Sequence, residues 1–395
     1  MTSTRSPLFT IVLSQFCCTS LWFAGNAVMG DLVKDFGLQA GSLGHLTSAV
    51  QFGFITGTLV FALLTIADRY SPSKVFLISA LLGSMFNAGV IWEGNTISTL
   101  LILRFLTGFF LAGIYPIGMK IAADHYEKGL GTSLGFLVGA LVLGTAFPHL
   151  LKALTSGLPW RMVLMLTTCL AIFGGLLMKT RVSDGPYRKA GQKLKPAGLF
   201  TAFQDTRLRA ATFGYFGHMW ELYTFWAFVP VMLTAYVSEH SQASLHISAW
   251  SFAIIAIGGP ACVAGGYLSK RWSEKRTAAL ALSISGLCCI LSLWFFHVNN
   301  SIAFLSCMLI WGMSVVADSP LFSTLVARHA QPEIRGTILT MVNCIGFAIT
   351  IVSIQVMNFL KNVWHMEDAY WILALGPALG LIGMFRKKQK VHDMA

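Results

Sequence analysis

The sharpest candidates for chemistry are a carboxyl group and an imidazole that stand three positions apart in an apolar stretch. Glu221 and His218 fall within 217–223, and a helix would place them on one face. A carboxyl group in an apolar medium can bind and release a proton, and an adjacent imidazole can share or pass it. The spacing predicts a proton-coupling site, and the alternative is a structural tie between helices.

Three more charged residues lie in long apolar stretches, and each has a functional and a structural interpretation. Asp318 can take a proton itself or pair with Lys120 or Arg104. Arg104 can bind an anionic solute group or backbone carbonyls of the first helix. Lys120 can contact a solute, extend its amine to the membrane surface or pair with Asp124 one turn on. The four buried charges sum to zero, which favours a neutral or zwitterionic solute, or an anion that moves with protons, over a strongly cationic one.

The composition points to an integral membrane protein. Of the 395 residues 55% are hydrophobic and only 11% are charged, too few to cover a soluble surface of this size. The net charge of +12 comes from short basic runs between apolar segments, so nucleic-acid binding is not expected. The eight cysteines form no CxxC or Cys/His cluster. With no ATP-binding loop or catalytic triad either, we expect neither an enzyme nor a cofactor or metal.

Continuous apolar runs predict an all-α protein with twelve transmembrane helices. The predicted segments are 8–30, 43–66, 75–92, 98–122, 131–153, 161–178, 210–236, 247–268, 277–296, 301–325, 337–360 and 369–385. Of the 28 Lys and Arg residues, 22 fall on the side of the N-terminus and four on the other. The positive-inside rule therefore places both termini in the cytoplasm.

The chain divides into two similar halves. A basic loop, 179–209, separates an N-terminal six-helix bundle, 1–178, from a C-terminal one, 210–395. Gly108 and Pro116 match Gly312 and Pro320 at an offset of 204. Six helices per half give both halves the same orientation, so a binding site is expected at their interface near the midplane.

The sequence resembles the major facilitator superfamily over nearly its whole length. The loop after the second helix, 67–74, is similar to the signature G-x-x-x-D-R-x-G-x-[RK]-[RK] of that family, with Asp68, Arg69 and Lys74 in place. Leu64 and Ser71 stand where the signature has glycine. The run from Arg104 through Gly108 to Gly113 resembles a second family motif.

The resemblance implies a cytoplasmic gate in which Arg69 reaches Asp124 beside Asp68, while the alternative is an ordinary basic loop. It also implies a cavity lined by the first, fourth, seventh and tenth helices. Aromatic and amide residues that can complete a binding site are Trp22, Asn26, Gln51, Tyr115, Tyr223, Trp226 and Asn343. Of these, Trp22, Asn26, Tyr115 and Tyr223 rank first.

The expected function is secondary transport of a small organic solute by rocker-switch alternating access, coupled to protons as in symport. The resemblance implies a monomer in the bacterial inner membrane, with the solute, protons and lipid as its partners. Sugar-porter signatures and the paired nitrate-binding arginines are absent, and the helix-five antiporter pattern is incomplete. Two alternatives remain: an efflux antiporter for amphipathic compounds, and a receptor or scaffold that transports nothing.

Overall fold

The computed structural model describes residues 7–39, 41–126, 130–155, 157–188, 202–361, 363 and 368–386. Within these ranges the chain is helical, and no β-strand occurs. The ranges leave out the middle of the predicted central loop, 189–201, and the basic residues Arg5 and Lys128, so expectations about those positions lie outside the described residues.

The described residues of the first half form ten helices up to the central loop. They are α1 (Leu8–Thr19), α2 (Ala24–Ala27), α3 (Met29–Asp35), α4 (Ser42–Leu63), α5 (Ile66–Arg69), α6 (Pro72–Gly89), α7 (Ile97–Leu111), α8 (Tyr115–His125), α9 (Leu130–Leu154) and α10 (Arg161–Arg181).

The second half begins with the longest helix of the described chain. The helices are α11 (Thr206–Glu239), α12 (Ile247–Ala256), α13 (Gly258–Trp272), α14 (Glu274–Phe295), α15 (Ser301–Ala317), α16 (Ser319–His329), α17 (Arg335–Leu360), a 3₁₀ turn (Tyr370–Ala374) and α18 (Leu375–Phe385).

Helical structure is found at each of the twelve predicted segments, but only some helices are both long and apolar enough to span a bilayer by themselves. In the described part of the chain, eight meet both criteria: Ser42–Leu63, Ile97–His125, Ser133–Leu154, Arg161–Arg181, Ile247–Trp272, Glu274–Phe295, Ser301–His329 and Arg335–Leu360. Two shorter apolar helices lie at Leu8–Thr19 and Tyr370–Phe385. Large apolar side chains such as Ile302 and Phe9 are more than 70% exposed on the outside of the molecule, as a lipid-facing surface requires.

The first predicted segment is not one continuous helix. It breaks after Thr19, where the hydroxyls of Thr19 and Ser20 donate to the carbonyls of Gln15 and Cys17 one turn earlier. Such side-chain bonds compete with the regular helical ladder. Carbonyl groups just beyond the break are therefore free to accept hydrogen bonds from other helices.

Corresponding breaks occur in the two halves. The chain between α7 and α8 departs from helix before Pro116, and the chain between α15 and α16 departs at Asp318 before Pro320. Proline favours the first turn of a helix because it lacks an N–H that would otherwise be unpaired there. Each half thus has a helix that stops and restarts at the same relative position.

Close helix crossings also correspond. A Cβ at Gly108 would overlap the carbonyl oxygen of Val50, and a Cβ at Gly312 would overlap that of Ile254. Both glycines thus let two backbones touch, α7 on α4 and α15 on α12. The second pair of residues lies 204 positions after the first, the same offset as in the sequence match.

The two halves meet along two sets of helices. On one side α9 packs against α12 and α13, with a Cβ at Gly139 falling 3.2 Å from the carbonyl oxygen of Gly259. On the other side α4 packs against α17, where Gln355 donates to the Ser48 hydroxyl at 2.8 Å. A cavity remains between these contacts.

Candidate functional site

The central cavity lies between the halves and has a volume of about 280 Å³. Its walls come from α4, α8, α9, α11 and α15 to α17 and are mostly apolar. The polar groups among them are Thr58, Tyr115, Tyr215, Tyr223, Trp226, Ser319, Ser323, Thr340 and Asn343. Of the aromatic and amide candidates, Tyr115, Tyr223, Trp226 and Asn343 line this cavity.

One end of this cavity is closed by an aromatic cap, which consists of Trp22, Phe54, Tyr223, Trp226 and Phe347. The Phe347 ring centroid lies 4.5 Å from that of Phe54 and 5.1 Å from that of Tyr223. Trp22 stacks on Phe347 at 5.7 Å. Each cap residue is at most 2% exposed, so the rings block passage through this end.

The other end continues into a charged vestibule of about 460 Å³. The two spaces share Thr58, Pro116, Leu339 and Thr340. The vestibule is lined by Asp68, Lys120 and Glu333, and it faces the end of the bundle that carries the central loop, called here the linker end.

A third space, the far cavity of about 860 Å³, lies beyond the cap at the opposite end of the bundle, the far end. Asn26 lines this space and donates to the Thr47 hydroxyl at 2.8 Å. The structure therefore places Asn26 on the other side of the cap from the central cavity.

Glu221 is completely buried, but it does not pair with His218. Its carboxylate oxygens accept hydrogen bonds from the Ser285 hydroxyl at 2.9 Å, the Cys289 thiol at 3.2 Å and the Trp311 indole at 2.6 Å. The expected Glu221–His218 contact is thus replaced by bonds from α11 to α14 and α15. A shared helical face was not sufficient to predict this contact, because the side chains of Glu221 and His218 point to different neighbouring helices.

His218 pairs instead with Asp318, at 2.8 Å between Nδ1 and Oδ1. The atoms are close enough for an ion pair but are not aligned as a hydrogen bond, and both side chains are at most 1% exposed. Asp318 stands at the α15–α16 break, between the wall residues Val316 and Ser319. The pair is therefore directly behind the cavity wall, and the partners considered for Asp318 from the sequence, Lys120 and Arg104, lie elsewhere.

Arg104 holds the broken first segment. Its guanidinium donates to the carbonyls of Leu21 at 3.3 Å and Trp22 at 2.5 Å, and to Asn87 Oδ1 at 3.4 Å. These carbonyls follow the break after Thr19, where the helical ladder leaves them without partners. Of the two roles considered for Arg104, the observed contacts are those of the structural one.

The charge cluster at the linker end differs from the expected gate. Lys120 bridges Asp68 at 3.1 Å and Asp124 at 3.6 Å, while Arg69 donates to the Thr65 hydroxyl at 3.1 Å. The predicted Arg69–Asp124 pair is therefore not formed in this structure. Lys74 forms no ion pair with a described residue.

The sequence did not predict that the start of the central loop contacts this charge cluster. Arg188 pairs with Asp184 at 2.7 Å and donates to the carbonyls of Asp68 at 3.1 Å and Tyr70 at 2.8 Å. Ser71 donates to Asp184 at 2.6 Å. The sequence signal for this contact is the basic charge of the central loop, which does not indicate a partner.

Other missed residues complete the site. The Tyr215 hydroxyl donates to Asn343 Oδ1 at 2.9 Å, joining α11 to α17. Trp311, Ser285 and Cys289 surround Glu221. Their types are common in apolar helices, so no sequence signal separates them from packing residues. Among the described residues no group of His, Cys, Asp and Glu side chains is arranged to hold a metal ion.

Comparison with known proteins gives the family. The Major Facilitator Superfamily model matches residues 11–354, well over half of the chain. The 4-hydroxybenzoate transporter PcaK of Pseudomonas aeruginosa is 24% identical over 424 residues, covering 97% of this chain and 93% of that protein. A class H tetracycline resistance protein of Pasteurella multocida is 26% identical over 43% of this chain and 42% of its own. The efflux pump FUB11 of Gibberella moniliformis is 28% identical over 38% of this chain, which spans only 28% of the pump.

Solved structures agree on the fold. The nucleoside transporter NupG superposes with a TM-score of 0.71 at 15% identity, covering 96% of this chain and 98% of its own. A bacterial homologue of the human lysosomal transporter Spinster, inward-facing and unoccupied, gives 0.67 at 14% identity over 95% and 94%. Since the family model and these structures span most of the sequence, the chain is a multi-pass membrane protein of the Major Facilitator Superfamily, a family of transporters and not of enzymes.

Proposed function

We propose that this protein is a proton-coupled secondary transporter that moves a small organic solute by alternating access of one central site. The observation that supports it most is the central cavity itself, closed at one end by the aromatic cap and continuous at the other with the charged vestibule. A site open to one side at a time is what alternating access requires. The nearly full-length similarity to a 4-hydroxybenzoate transporter supports a small organic solute.

The topology belongs to the proposal. Twelve spans follow if the eight long apolar helices are joined by the four other helical segments, at 8–30, 75–92, 210–236 and 369–385. With both termini in the cytoplasm of a bacterial inner membrane, the basic linker end faces inward. The described conformation is then inward-facing, and the protein acts as a monomer whose halves, 1–178 and 210–395, rock about the cavity.

Two buried acidic groups are proposed to carry the coupling proton. The His218–Asp318 pair lies behind the cavity wall, so a change in its charge reaches a bound solute through Val316 or Ser319. Glu221 lies one helical turn from His218 and ties three helices of the same half. A charged carboxyl group in an apolar medium costs several kcal/mol of free energy, and protonation removes that cost. This free energy is similar in size to the one that separates two conformational states.

The cluster of Asp68, Lys120 and Asp124 is proposed to act as the cytoplasmic gate, with Arg69 and Lys74 beside it. In the inward-open state these charges lie on one half, where Asp68 and Lys120 line the vestibule and Asp124 pairs with Lys120. Glu333 lines the same space from the other half. Closure would bring Glu333 towards Arg69 and Lys120, so the halves attract each other in the outward-open state.

The test uses proteoliposomes with an imposed pH gradient and an isotope-labelled pool of metabolites, analysed by mass spectrometry. We expect the gradient to drive accumulation of at least one solute. Asp318→Asn and Glu221→Gln are expected to lose that accumulation, because an amide cannot release the proton. Both variants are expected to keep solute exchange across the membrane, which needs no net proton movement.

Glu93→Gln is the matched control, because this carboxylate is exposed at the far end and away from the cavity. It is expected to behave as the unmodified protein does. If one buried variant alone loses accumulation, the coupling proton belongs to that residue. Gradient-driven accumulation in both variants would remove proton coupling through this region.

Export of amphipathic compounds is the second candidate. The mostly apolar cavity and the partial similarity to an efflux pump and a tetracycline resistance protein favour it. The direction of the gradient in the same liposomes decides between them. Symport predicts that the solute moves in the same direction as the protons and accumulates on the side with the lower proton concentration. Antiport predicts movement in the opposite direction and accumulation on the side with the higher proton concentration.

A further inference from the structure

We propose that the central cavity selects an uncharged aromatic solute of one or two rings that carries a hydrogen-bond acceptor. This inference names the substrate class of the site described above and rests on the transport function proposed for it.

Aromatic side chains of both halves face this cavity. Tyr115 contributes from α8 of the first half, while Tyr215, Tyr223 and Phe347 contribute from α11 and α17 of the second. Aromatic rings prefer offset or edge-on partners, and such pairs add stability beyond that of the buried area. A planar ring held between the two halves would satisfy both walls, whereas a saturated ring fills the same volume without these contacts.

No charged side chain is found among the described residues that line the cavity. The nearest candidates already have partners, since Asp318 pairs with His218 and Lys120 bridges Asp68 and Asp124. A charged solute would leave water without gaining a counter-ion, and that desolvation is not compensated. The cavity therefore favours the neutral form over an anion or a cation of the same shape.

The amide of Asn343 gives the cavity a directed donor. Its Oδ1 accepts the Tyr215 hydroxyl, which fixes the orientation of the amide. No described residue accepts a hydrogen bond from its Nδ2, and the side chain is partly exposed to the cavity. A carbonyl oxygen or ring nitrogen on the solute matches this N–H group, since an unpaired donor buried by the solute would weaken binding.

The size of the cavity limits the solute. A volume of about 280 Å³ is at the small end of ligand sites, which run from roughly 300 to 1,000 Å³. One ring with a short polar substituent, or two fused rings, fits such a space. A larger amphipathic compound would have to extend into the vestibule, beside the charges of Asp68 and Lys120.

Four probes of nearly equal size separate the elements of this inference. Benzamide is aromatic and neutral, benzoate is its anionic counterpart, benzamidine is its cationic counterpart, and cyclohexanecarboxamide keeps the amide without the aromatic ring. Each is added to the purified full chain in detergent at neutral pH, and the unfolding temperature gives the apparent affinity. We expect benzamide to bind at least about tenfold more tightly than each of the other three.

Two variants test the residues named. Asn343→Asp keeps an acceptor for Tyr215 and adds a negative charge, so the preference should move from benzamide to benzamidine. Asn300→Asp is its control, because Asn300 caps α15 at the far end and Asp caps a helix equally well. Tyr115→Leu should weaken benzamide about tenfold towards the level of cyclohexanecarboxamide, whereas Tyr267→Leu, at an exposed tyrosine outside the cavity, should not.

Equal stabilisation by benzamide and either charged probe would overturn the neutral preference, and equal stabilisation by cyclohexanecarboxamide would overturn the aromatic one. No stabilisation by benzamide would overturn the inference as a whole. Gradient-driven transport of some other solute would then leave the proposed function standing. Benzamide binding without any solute flux in the liposomes would instead remove transport and keep the binding class.

Discussion

The two halves share their packing but differ in the chemistry that they bury. Each has a glycine at a close helix crossing, Gly108 on Val50 in the first half and Gly312 on Ile254 in the second. In the first half the most deeply buried charge among the described residues is Arg104, which donates to carbonyl groups of Leu21, Trp22 and Asn87. In the second half the buried charges are acids, one beside an imidazole and one in a ring of donors.

This difference separates features of packing, which the two halves share, from buried charged groups, which they do not share. Asp318 of the second half corresponds to Ile114 of the first, and both stand where a helix stops before restarting at a proline. The break is common to both halves, whereas the acid occurs at only one of the two breaks. Packing at the two breaks can therefore be alike while the residue that stands at the break differs in charge.

The largest expected effect comes from breaking the shared packing. A methyl group at Gly108 or Gly312 would overlap a backbone oxygen, and a helix cannot move aside as the end of a side chain can. We expect Gly108→Ala and Gly312→Ala each to lower the free energy of unfolding by about 3 kcal/mol. Thermal unfolding of the detergent-solubilised protein measures the effect.

Gly266→Ala is the matched control, because a Cβ there meets nothing within 4 Å. It should leave the unfolding temperature unchanged or raise it slightly, since alanine favours helix. Equal losses at positions 108 and 312 would support a shared scaffold. A loss at only one of them would mean that the correspondence between the halves is accidental.

A smaller effect is expected from Arg104, and it should be confined to stability. Arg104→Lys keeps the charge but loses the fork that reaches Leu21 and Trp22 together. We expect a loss of about 2 kcal/mol, the value of a hydrogen bond to a charged group. Gradient-driven accumulation in liposomes, which Asp318→Asn is expected to lose, should persist in Arg104→Lys when it is counted per folded molecule.

Loss of gradient-driven accumulation in Arg104→Lys, with unfolding unchanged, would contradict this assignment. Arg104 would then join the coupling residues, and the contrast between a structural first half and a chemical second half would fail. A matched Arg335→Lys variant, at an exposed residue at the start of α17, controls for the substitution itself.

The sequence was most informative where one physical cost dominates. Apolar length and the high cost of charge in lipid predicted the helices, and each of the twelve segments contains helical structure. The same cost identified Arg104, Glu221 and Asp318 as buried residues that need partners, and all three are at most 2% exposed. Lys120, the fourth charge expected to be buried, has a side chain that is 25% exposed and pairs with Asp68 and Asp124.

Partner choice was predictable only in part, because it depends on side-chain direction and on third elements. The Lys120–Asp124 pair and the hydrogen bonds from Arg104 to carbonyls of the first segment were among the alternatives considered from the sequence. Glu221 and His218 share a face, yet one turns to α14 and α15 and the other to Asp318. Lys120 takes the place expected for Arg69, because it approaches Asp68 from the helix that also carries Asp124. The break after Thr19 is likewise hidden in the hydropathy pattern, since apolar residues continue through it.

The smallest expected effect is a difference in the pH dependence of stability between the far ends of the two halves. The first half closes there with the pairs Asp31–Lys152 at 2.6 Å and Glu93–Arg161 at 3.3 Å. The second half uses His297, which lies 2.9 Å from Glu239 and 3.3 Å from Asp368. Lysine and arginine as residue types stay charged through neutral pH, whereas histidine does not.

Hydrogen bonding to Glu239, with Asp368 adding to it, raises the pKa of His297 above its ordinary value of 6.5. The protonated ring therefore stabilises the folded state fully below about pH 6.5, and this contribution is lost as the pH rises through the raised pKa. Because the ring is 45% exposed, the effect is expected to be small. Unfolding temperatures measured from about pH 5.5 to about pH 8.5 should fall slightly for the unmodified protein and stay flatter for His297→Gln. Arg161→Gln, which breaks the corresponding pair of the first half, should lower stability by the same amount at every pH. If the unfolding temperature of His297→Gln falls with pH as steeply as that of the unmodified protein, the far ends of the two halves respond to pH alike.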